Sequence, residues 1–173
     1  SNQLVVGVGS GTTPHMSLSP SKIAAAAGDT LTLEVLVQSD GESIESISAV
    51  IAVDANLYTV VNSTAPFTDL GSVFSGGTVV ENAFSGGKLR FTKNKSGGEI
   101  VGSAQNQRAL ARFQVALKSN FQASHVLPFD AETALSASGT STALRQSSGL
   151  SVQSAQIRSI PRGVLQATVL LEG

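Results

Sequence analysis

The sequence predicts an all-β fold, an antiparallel β-sandwich with jelly-roll topology and about nine strands. Three observations predict it. Apolar and polar residues alternate with a period of two in several segments, which places one face of each segment in a core. Turn-forming residues rich in Gly, Asp, Asn and Ser separate these segments at short intervals. No segment shows the 3.6-residue period of an amphipathic helix.

The clearest alternation lies in the stretch 28–61, which predicts three successive strands. A turn at Gly28-Asp29 opens it, and turn residues at 39–43 and 54–56 separate the strands. Tyr58 in the third strand alternates with Leu57, so we expect it to be partly exposed. The residues predicted to face the core are Leu31, Leu33, Val35, Val37, Ile47, Ala49, Ile51 and Val53.

Further strands are predicted on both sides of this stretch. The alanine-rich segment 23–27 fits an edge strand better than a helix, because it is too short to form a helix unaided. Ala109 and Phe113 face inward in the longest later strand, where Leu110 and Ala116 break the alternation. A slip near Ser154 predicts a bulge. The remaining predicted strands are 16–20, 78–84, 88–93, 108–118, 133–137 and 150–160, with Gly-containing turns at 85–87 and 96–98.

The two ends of the chain differ from its centre. Residues 1–14 contain a Gly- and Ser-rich connector, and we interpret them as an N-terminal extension or linker. Residues 15–162 form the predicted sandwich. Residues 163–173 follow a Pro break and are either an extra strand of this domain or the start of a following domain.

Composition excludes several function classes. The net charge of -1 argues against a nucleic-acid partner held by phosphate contacts. The absence of cysteine excludes disulfides, thiol nucleophiles and Cys-ligated zinc. No apolar run approaches the length needed for membrane insertion. Charged residues make up only 13%, and Ser, Thr, Gln and Asn supply the polarity, which is typical of extracellular or cell-surface β proteins.

The sequence shows no constellation for catalysis, so we predict that the protein is not an enzyme and uses no cofactor or metal. His15 and His125 lie in no recognisable motif, and the acids are scattered without a pair. Asp54 with Asn56 is expected to hold a loop through side-chain to backbone bonds. With no Trp and one Tyr, a flat aromatic platform for crystalline cellulose is not expected, although a groove for a soluble glycan stays open.

Three short motifs carry a family resemblance: Gly28-Asp29-Thr30, the segment 51–57 (IAVDANL) and the segment 110–115 (LARFQV). Over residues 16–160 the chain resembles a cohesin-like domain, a nine-stranded jelly roll related in fold to some cellulose-binding modules. Val53 and Ala55 stand where cohesins often have Tyr and Pro. The resemblance implies a non-catalytic module of a secreted or cell-surface bacterial protein acting in polysaccharide breakdown or adhesion.

The resemblance also implies a partner and a binding face. Cohesins bind dockerin modules, and type I cohesins often use an Asn and an Asp that match Ser46 and Ser48 here. The alternatives are a carbohydrate-binding module of the same fold, or a structural spacer whose outer face is merely solvated. The predicted face comprises the outward residues of three strands that adjoin in the cohesin arrangement: Ser46, Ser48, Val50, Arg90, Thr92, Arg112 and Gln114.

Overall fold

The computed structural model describes residues 13–161, and this part of the chain is a β-sandwich. The expectations for 1–12 and 162–173 lie outside the described residues. Within 13–161 one turn of 3₁₀ helix, Gln146–Ser148, is the only helical element, and no helix there is long and apolar enough to cross a bilayer. The strands are β1 (His15–Pro20), β2 (Ala24–Ala25), β3 (Thr30–Gln38), β4 (Ser43–Ala52), β5 (Tyr58–Val60), β6 (Thr68–Asp69), β7 (Thr78–Ser85), β8 (Lys88–Ile100), β9 (Arg108–Leu117), β10 (His125–Leu127), β11 (Ala134–Ala137), β12 (Leu144–Arg145), β13 (Ser151–Gln153) and β14 (Ala155–Ser159).

The strands form two main sheets and a small one. In the first, which we call the β9 sheet, the order is β13-β1-β3-β9-β5, with β6 also paired to β9. In the second, the β8 sheet, the order is β12-β11-β4-β8-β7, and the small sheet is β10-β14-β2. The predicted fold class is confirmed. The strand count exceeds about nine because several strands are only two or three residues long, and two pairs, β1–β13 and β14–β2, are parallel.

The core lies between the β8 and β9 sheets, where the inward residues predicted for the stretch 28–61 are all buried. Phe67 contacts both sheets, because its ring centroid lies 5.2 Å from that of Phe91 on β8 and 5.1 Å from that of Phe113 on β9. Phe74 is also fully buried, and Phe84 packs partly buried against the core. These aromatic contacts join the two sheets.

β8 is longer than the sequence predicts, because the turn expected at 96–98 is a bulge within the strand. Asn94 pairs with Ser46 and Glu99 pairs with Ile44, so residues 95–98 stand opposite Glu45 alone. Gly98 has a φ of 71°, and a Cβ there would lie 2.0 Å from the Ser138 hydroxyl oxygen. The bulge therefore requires glycine at this position.

β9 corrects one prediction about its faces. Leu110 is fully buried, whereas the expected inward residue Ala109 is only half-buried. The register explains this: Val35 pairs with Ala111 and Leu36 pairs with Ala109, so Leu110 has no partner opposite it. A bulge of this kind inverts the alternation of inward and outward side chains.

The predicted strand 150–160 is broken at Ser154. Before it, β13 pairs with β1, and after it, β14 pairs with β10 and β2 in the small sheet. The Ser154 hydroxyl accepts a hydrogen bond from the backbone N–H of Phe129 at 3.1 Å. The expected slip therefore marks the point where the chain changes sheet.

Tyr58 is buried rather than partly exposed, since only 3% of its surface is accessible. β5 pairs with β9, which turns Tyr58 inward, and its ring centroid lies 5.8 Å from that of Phe121. Burial and, to a smaller extent, the charge of Asp54 raise the pKa of Tyr58 to about 12. The prediction failed because Tyr58 and Leu57 were taken as one alternating strand, whereas β5 begins only at Tyr58.

Lys93 is a buried cation in the core, with 2% of its surface accessible. It lies on the inward side of β8, where its ammonium group pairs with Asp69 Oδ2 at 2.8 Å and donates to the carbonyl of Val73 at 2.8 Å. Asp69 belongs to β6, which pairs with β9. Lys93 thus links the β8 sheet to β6, the short strand that pairs with β9.

Candidate partner-binding face

The outer surface of the β8 sheet brings together most of the predicted binding residues. Ser46, Ser48 and Val50 alternate with core residues on β4, and Arg90 and Thr92 do so on β8. The register pairs Ser48 with Thr92 and Val50 with Arg90. We call this surface the hydroxyl face and define it by Ser46, Ser48, Val50, Arg90, Thr92 and Asn94.

Two rungs of side-chain hydrogen bonds cross the centre of the hydroxyl face. The Ser46 hydroxyl donates to Asn94 Oδ1 at 2.7 Å, and the hydroxyl oxygens of Ser48 and Thr92 lie 3.0 Å apart. On the other side of β4, Ser136 pairs in register with Ser46. The centre of the face is therefore uncharged, with short side chains whose positions are fixed by one another.

Arg90 is held by an acid that the sequence analysis did not assign to this face. Its Nη1 and Nη2 atoms donate to Glu132 Oε2 at 2.7 Å and Oε1 at 3.1 Å. Lys88 also pairs with Glu132, at 2.5 Å, and with Asp130 at 3.1 Å. The hydrogen bonds from Arg90 and then from Lys88 lower the pKa of Glu132 to about 2. The same contacts raise the pKa of both cations.

Val50 is covered, so its predicted role as a contact residue is wrong. Only 2% of its surface is accessible. The segment 130–133 borders β4, with Asp130 N–H donating to the Val50 carbonyl at 2.8 Å. The Thr133 hydroxyl donates to the same carbonyl at 2.9 Å. Because Glu132 lies beside β4 and yet reaches Arg90 on β8, its side chain crosses over Val50.

Arg112 and Gln114 do not belong to the hydroxyl face. They lie on β9, which pairs with β3, β5 and β6, whereas β8 pairs with β4 and β7. The prediction that all three strands adjoin is therefore wrong. Alternation tells which side of a strand faces outward but not which strands are neighbours. Arg112 and Gln114 lie on the opposite outer surface of the sandwich.

On that opposite surface, Arg112 and Gln114 line a cleft of about 420 Å³. The side-chain amide of Gln114 donates to the Thr32 hydroxyl at 3.0 Å. The loop that follows β5 forms the other wall of the cleft. Its lining residues are Thr32, Val61, Asn62, Ala65, Pro66, Thr68, Arg112, Phe113 and Gln114.

The two histidines and Asp54 make local structural contacts. His15 Nδ1 lies 2.8 Å from the Ser151 hydroxyl, and burial lowers the pKa of His15. His125 packs its ring 5.4 Å from that of Phe121. Asp54 Oδ1 accepts the N–H of Asn56 at 2.8 Å, which confirms its role in holding a loop. Within 13–161 no three His, Asp or Glu residues gather where a metal ion could bind.

Neither a family model nor a curated protein matches the sequence, but solved structures do. CaCohA2 of Clostridium acetobutylicum, in a complex with CaDoc0917, is 17% identical with a TM-score of 0.62 over 86% of this chain and 100% of that chain. The third ScaB cohesin of R. flavefaciens, in complex with a group 1 dockerin, is 14% identical with a TM-score of 0.62 over 87% and 96%. A non-cellulosomal cohesin from the archaeon Archaeoglobus fulgidus is 11% identical with a TM-score of 0.59 over 90% and 97%. At these identities the likeness shows the fold, and it confirms the cohesin-like fold that the motifs predicted.

Proposed function

We propose that this chain, a β-sandwich with the cohesin fold, is a non-catalytic attachment module that binds a dockerin-type protein module on its hydroxyl face. One observation carries the proposal: the structural likeness extends over most of the chain to cohesins, including one in complex with a dockerin. The hydroxyl face contains Ser46 and Ser48, the positions that the resemblance assigns to partner contact. We further propose a secreted or cell-surface location, which the low charge content supports.

The centre of the hydroxyl face suits recognition by shape and hydrogen bonding. Ser48 and Thr92 bond to each other, yet each hydroxyl keeps a free lone pair that can accept from a partner. The short side chains on β4 and β8 are already hydrogen-bonded to one another, so a partner loses little to ordering this face on binding. We expect a partner that brings its own long side chains to this face.

The charged end of the face contributes orientation more than affinity. Arg90 uses two of its donors on Glu132, which leaves its other N–H groups for a partner, and the Glu132 carboxylate offsets its positive charge. Lys88 is neutralised by the same carboxylate and by Asp130. A partner meets this cluster as a nearly neutral group of ions at the rim, where single charges change affinity little.

The aromatic residues favour a protein partner over a stacked sugar. All seven Phe and the one Tyr lie within the described range. Phe84 is half-buried on β7, and each of the others is buried. A carbohydrate platform needs exposed aromatic rings, so the alternative of a glycan-binding module finds no support here.

A binding assay with a matched control tests the proposal. The full chain is titrated against a panel of purified dockerins that includes a group 1 dockerin, using calorimetry. We expect at least one dockerin to bind. The double substitution Ser46→Arg and Ser48→Arg should weaken that binding by about thirtyfold or more, because it places two long cations at the centre of the interface.

Thr59→Arg is the control, because Thr59 is an exposed strand residue on β5 in the other sheet. Its affinity for the dockerin should equal that of the native chain. The proposed function is rejected if no dockerin binds. The hydroxyl face is rejected if the double variant and Thr59→Arg bind equally well.

A further inference from the structure

The cleft on the β9 sheet is a second site that the proposed function does not use. Arg112 is the single charged residue among those that line it. Phe113, the one aromatic residue in the lining, has only 1% of its surface accessible, so the cleft offers a guanidinium, side-chain amides and hydroxyls, and some aliphatic surface, but no aromatic face. We propose that this cleft binds the carboxylate of an acidic peptide segment, with Arg112 as its anchor.

The wall opposite Arg112 is built by a fixed loop. The side-chain amide of Asn62, a residue with a φ of 56°, donates to the Ala65 carbonyl at 2.9 Å. Val61 N–H donates to the carbonyl of Gln114 at 3.0 Å, which ties the loop to β9. Phe67 closes the loop, because its backbone N–H and carbonyl bond to the side-chain amide of Asn82. The cleft is thus formed before a ligand arrives.

The side chain of Arg112 makes no hydrogen bond or ion pair with any residue of the described range. Arg90, by contrast, pairs with Glu132, and Arg108 donates to the Ser72 carbonyl. Glu34 is the strand neighbour of Arg112 across β3, but no ion pair joins them and Glu34 does not line the cleft. The guanidinium is therefore available to an anion that enters the cleft.

The lining selects the class of anion. A guanidinium binds a planar carboxylate through two parallel hydrogen bonds. A single cation matches a monoanion, whereas phosphate groups are usually held by clusters of arginines. Val61 and Ala65, which are both exposed, offer aliphatic surface to the methylene groups of an acidic side chain. Sugar rings prefer aromatic faces, so the cleft favours a peptide carboxylate over a sugar acid.

This inference stands independently of the proposed function, since the cleft and the hydroxyl face lie on opposite sheets. A chain that binds one partner on each sheet can link two proteins. Loss of carboxylate binding would leave dockerin binding on the hydroxyl face unaffected, and the reverse also holds.

Nuclear magnetic resonance titration of the isotope-labelled full chain tests the site. The probe is the capped peptide acetyl-Ala-Glu-Ala-amide, and acetyl-Ala-Gln-Ala-amide is its uncharged match. We expect the acidic peptide to shift the backbone amide signals of Asn62, Thr68 and Gln114, with a dissociation constant on the order of 1 mM. Arg112→Gln should weaken binding by about tenfold or more, and Arg112→Lys by less, because lysine keeps the charge but loses the paired bonds.

Arg158→Gln is the matched control, because Arg158 is an exposed strand arginine on β14 that lies outside the cleft. It should bind the peptide as the native chain does. Equal binding by Arg112→Gln and Arg158→Gln, or equal binding of the Glu and Gln peptides, overturns the site. Sodium glucuronate and inorganic phosphate form two further arms. Tighter binding of either than of the acidic peptide overturns the assignment to a peptide carboxylate.

Discussion

Arg90 and Arg112 are the same residue type in the same local pattern, and the structure gives them different environments. Each points outward from a long strand, next to a buried phenylalanine, Phe91 for one and Phe113 for the other. Arg90 lies on the β8 sheet and makes two hydrogen bonds to Glu132. Arg112 lies on the β9 sheet and lines a cleft, and its side chain bonds to no described residue.

The difference shows that the surroundings of an outward arginine depend on which side chains the adjacent segments of the same chain place beside it. Beside β4, the segment 130–133 brings Glu132 over the sheet and neutralises Arg90. Beside β9, the loop after β5 brings aliphatic and amide groups instead, and the Arg112 side chain gains no ion pair with a described residue. One surface therefore carries uncharged hydroxyl groups at its centre, and the other carries a cation whose side chain has no described partner.

The largest expected effect tests whether the core separates the two arginines. Phe67 contacts Phe91 and Phe113, the inward neighbours of Arg90 and Arg112. Phe67→Ala should lower the free energy of unfolding by roughly 3–5 kcal/mol, because it leaves a cavity between the sheets. Urea denaturation followed by circular dichroism measures this loss.

Phe84→Ala is the control for that experiment. Phe84 lies on the edge strand β7 and is only partly buried, so its removal should cost clearly less. If the two substitutions destabilise equally, Phe67 does not fill the layer between the sheets, and the two arginines are not separated as described.

The alternating strands could be predicted from the sequence because burial of one face imposes a period of two on every residue. The inward residues from Leu31 to Val53 were predicted on this basis and are buried. The burial of Leu110 and Tyr58 was not predicted. It depends on the bulge in β9 and on the start of β5 at Tyr58, and both of these are set by pairing with distant residues. Register across strands is a tertiary property that local alternation does not contain.

The same limit explains which residues of the candidate face were grouped correctly and which were not. Ser46, Ser48, Arg90 and Thr92 were grouped correctly because β4 and β8 follow each other closely in the chain and pair. Arg112 and Gln114 were misplaced because β9 pairs instead with β3. Glu132 was missed because no local pattern marks a loop acid that crosses a sheet.

A smaller loss of stability is expected when the ion pair between Lys93 on β8 and Asp69 on β6 is removed. Lys93→Met removes the ammonium group that bonds to Asp69 and to the Val73 carbonyl. Because Asp69 keeps partial access to water, we expect a loss of roughly 1–3 kcal/mol in the free energy of unfolding rather than the full cost of a broken buried pair. Thermal and urea unfolding measure it.

Lys95→Met is the matched control, since Lys95 pairs with Glu99 near the surface of the same strand. Its loss should stay within about 1 kcal/mol. Equal stability of the two variants would contradict the role of Lys93 in tying β6 to the β8 sheet.

The smallest expected effect is that of Glu132→Gln on stability. It bears most directly on the difference between Arg90 and Arg112, because it tests whether Arg90 is ion-paired with Glu132 in solution. The pKa of Glu132 is lowered from 4.5 to about 2 in the folded chain. A lowered folded pKa adds stability above the unfolded value, and this stability is lost as the pH falls towards 2. The urea midpoint of Glu132→Gln should therefore lie slightly below that of the native chain at pH 7, and the difference should vanish near the pKa of about 2. High salt should also reduce the difference, because the Glu132 carboxylate is exposed.

Glu34→Gln is the control, since Glu34 neighbours Arg112 without an ion pair. The urea midpoint of this variant should follow that of the native chain at every pH. If Glu132→Gln also follows the native chain at every pH, Arg90 is as free as Arg112, and the hydroxyl face carries a charge that a partner can use.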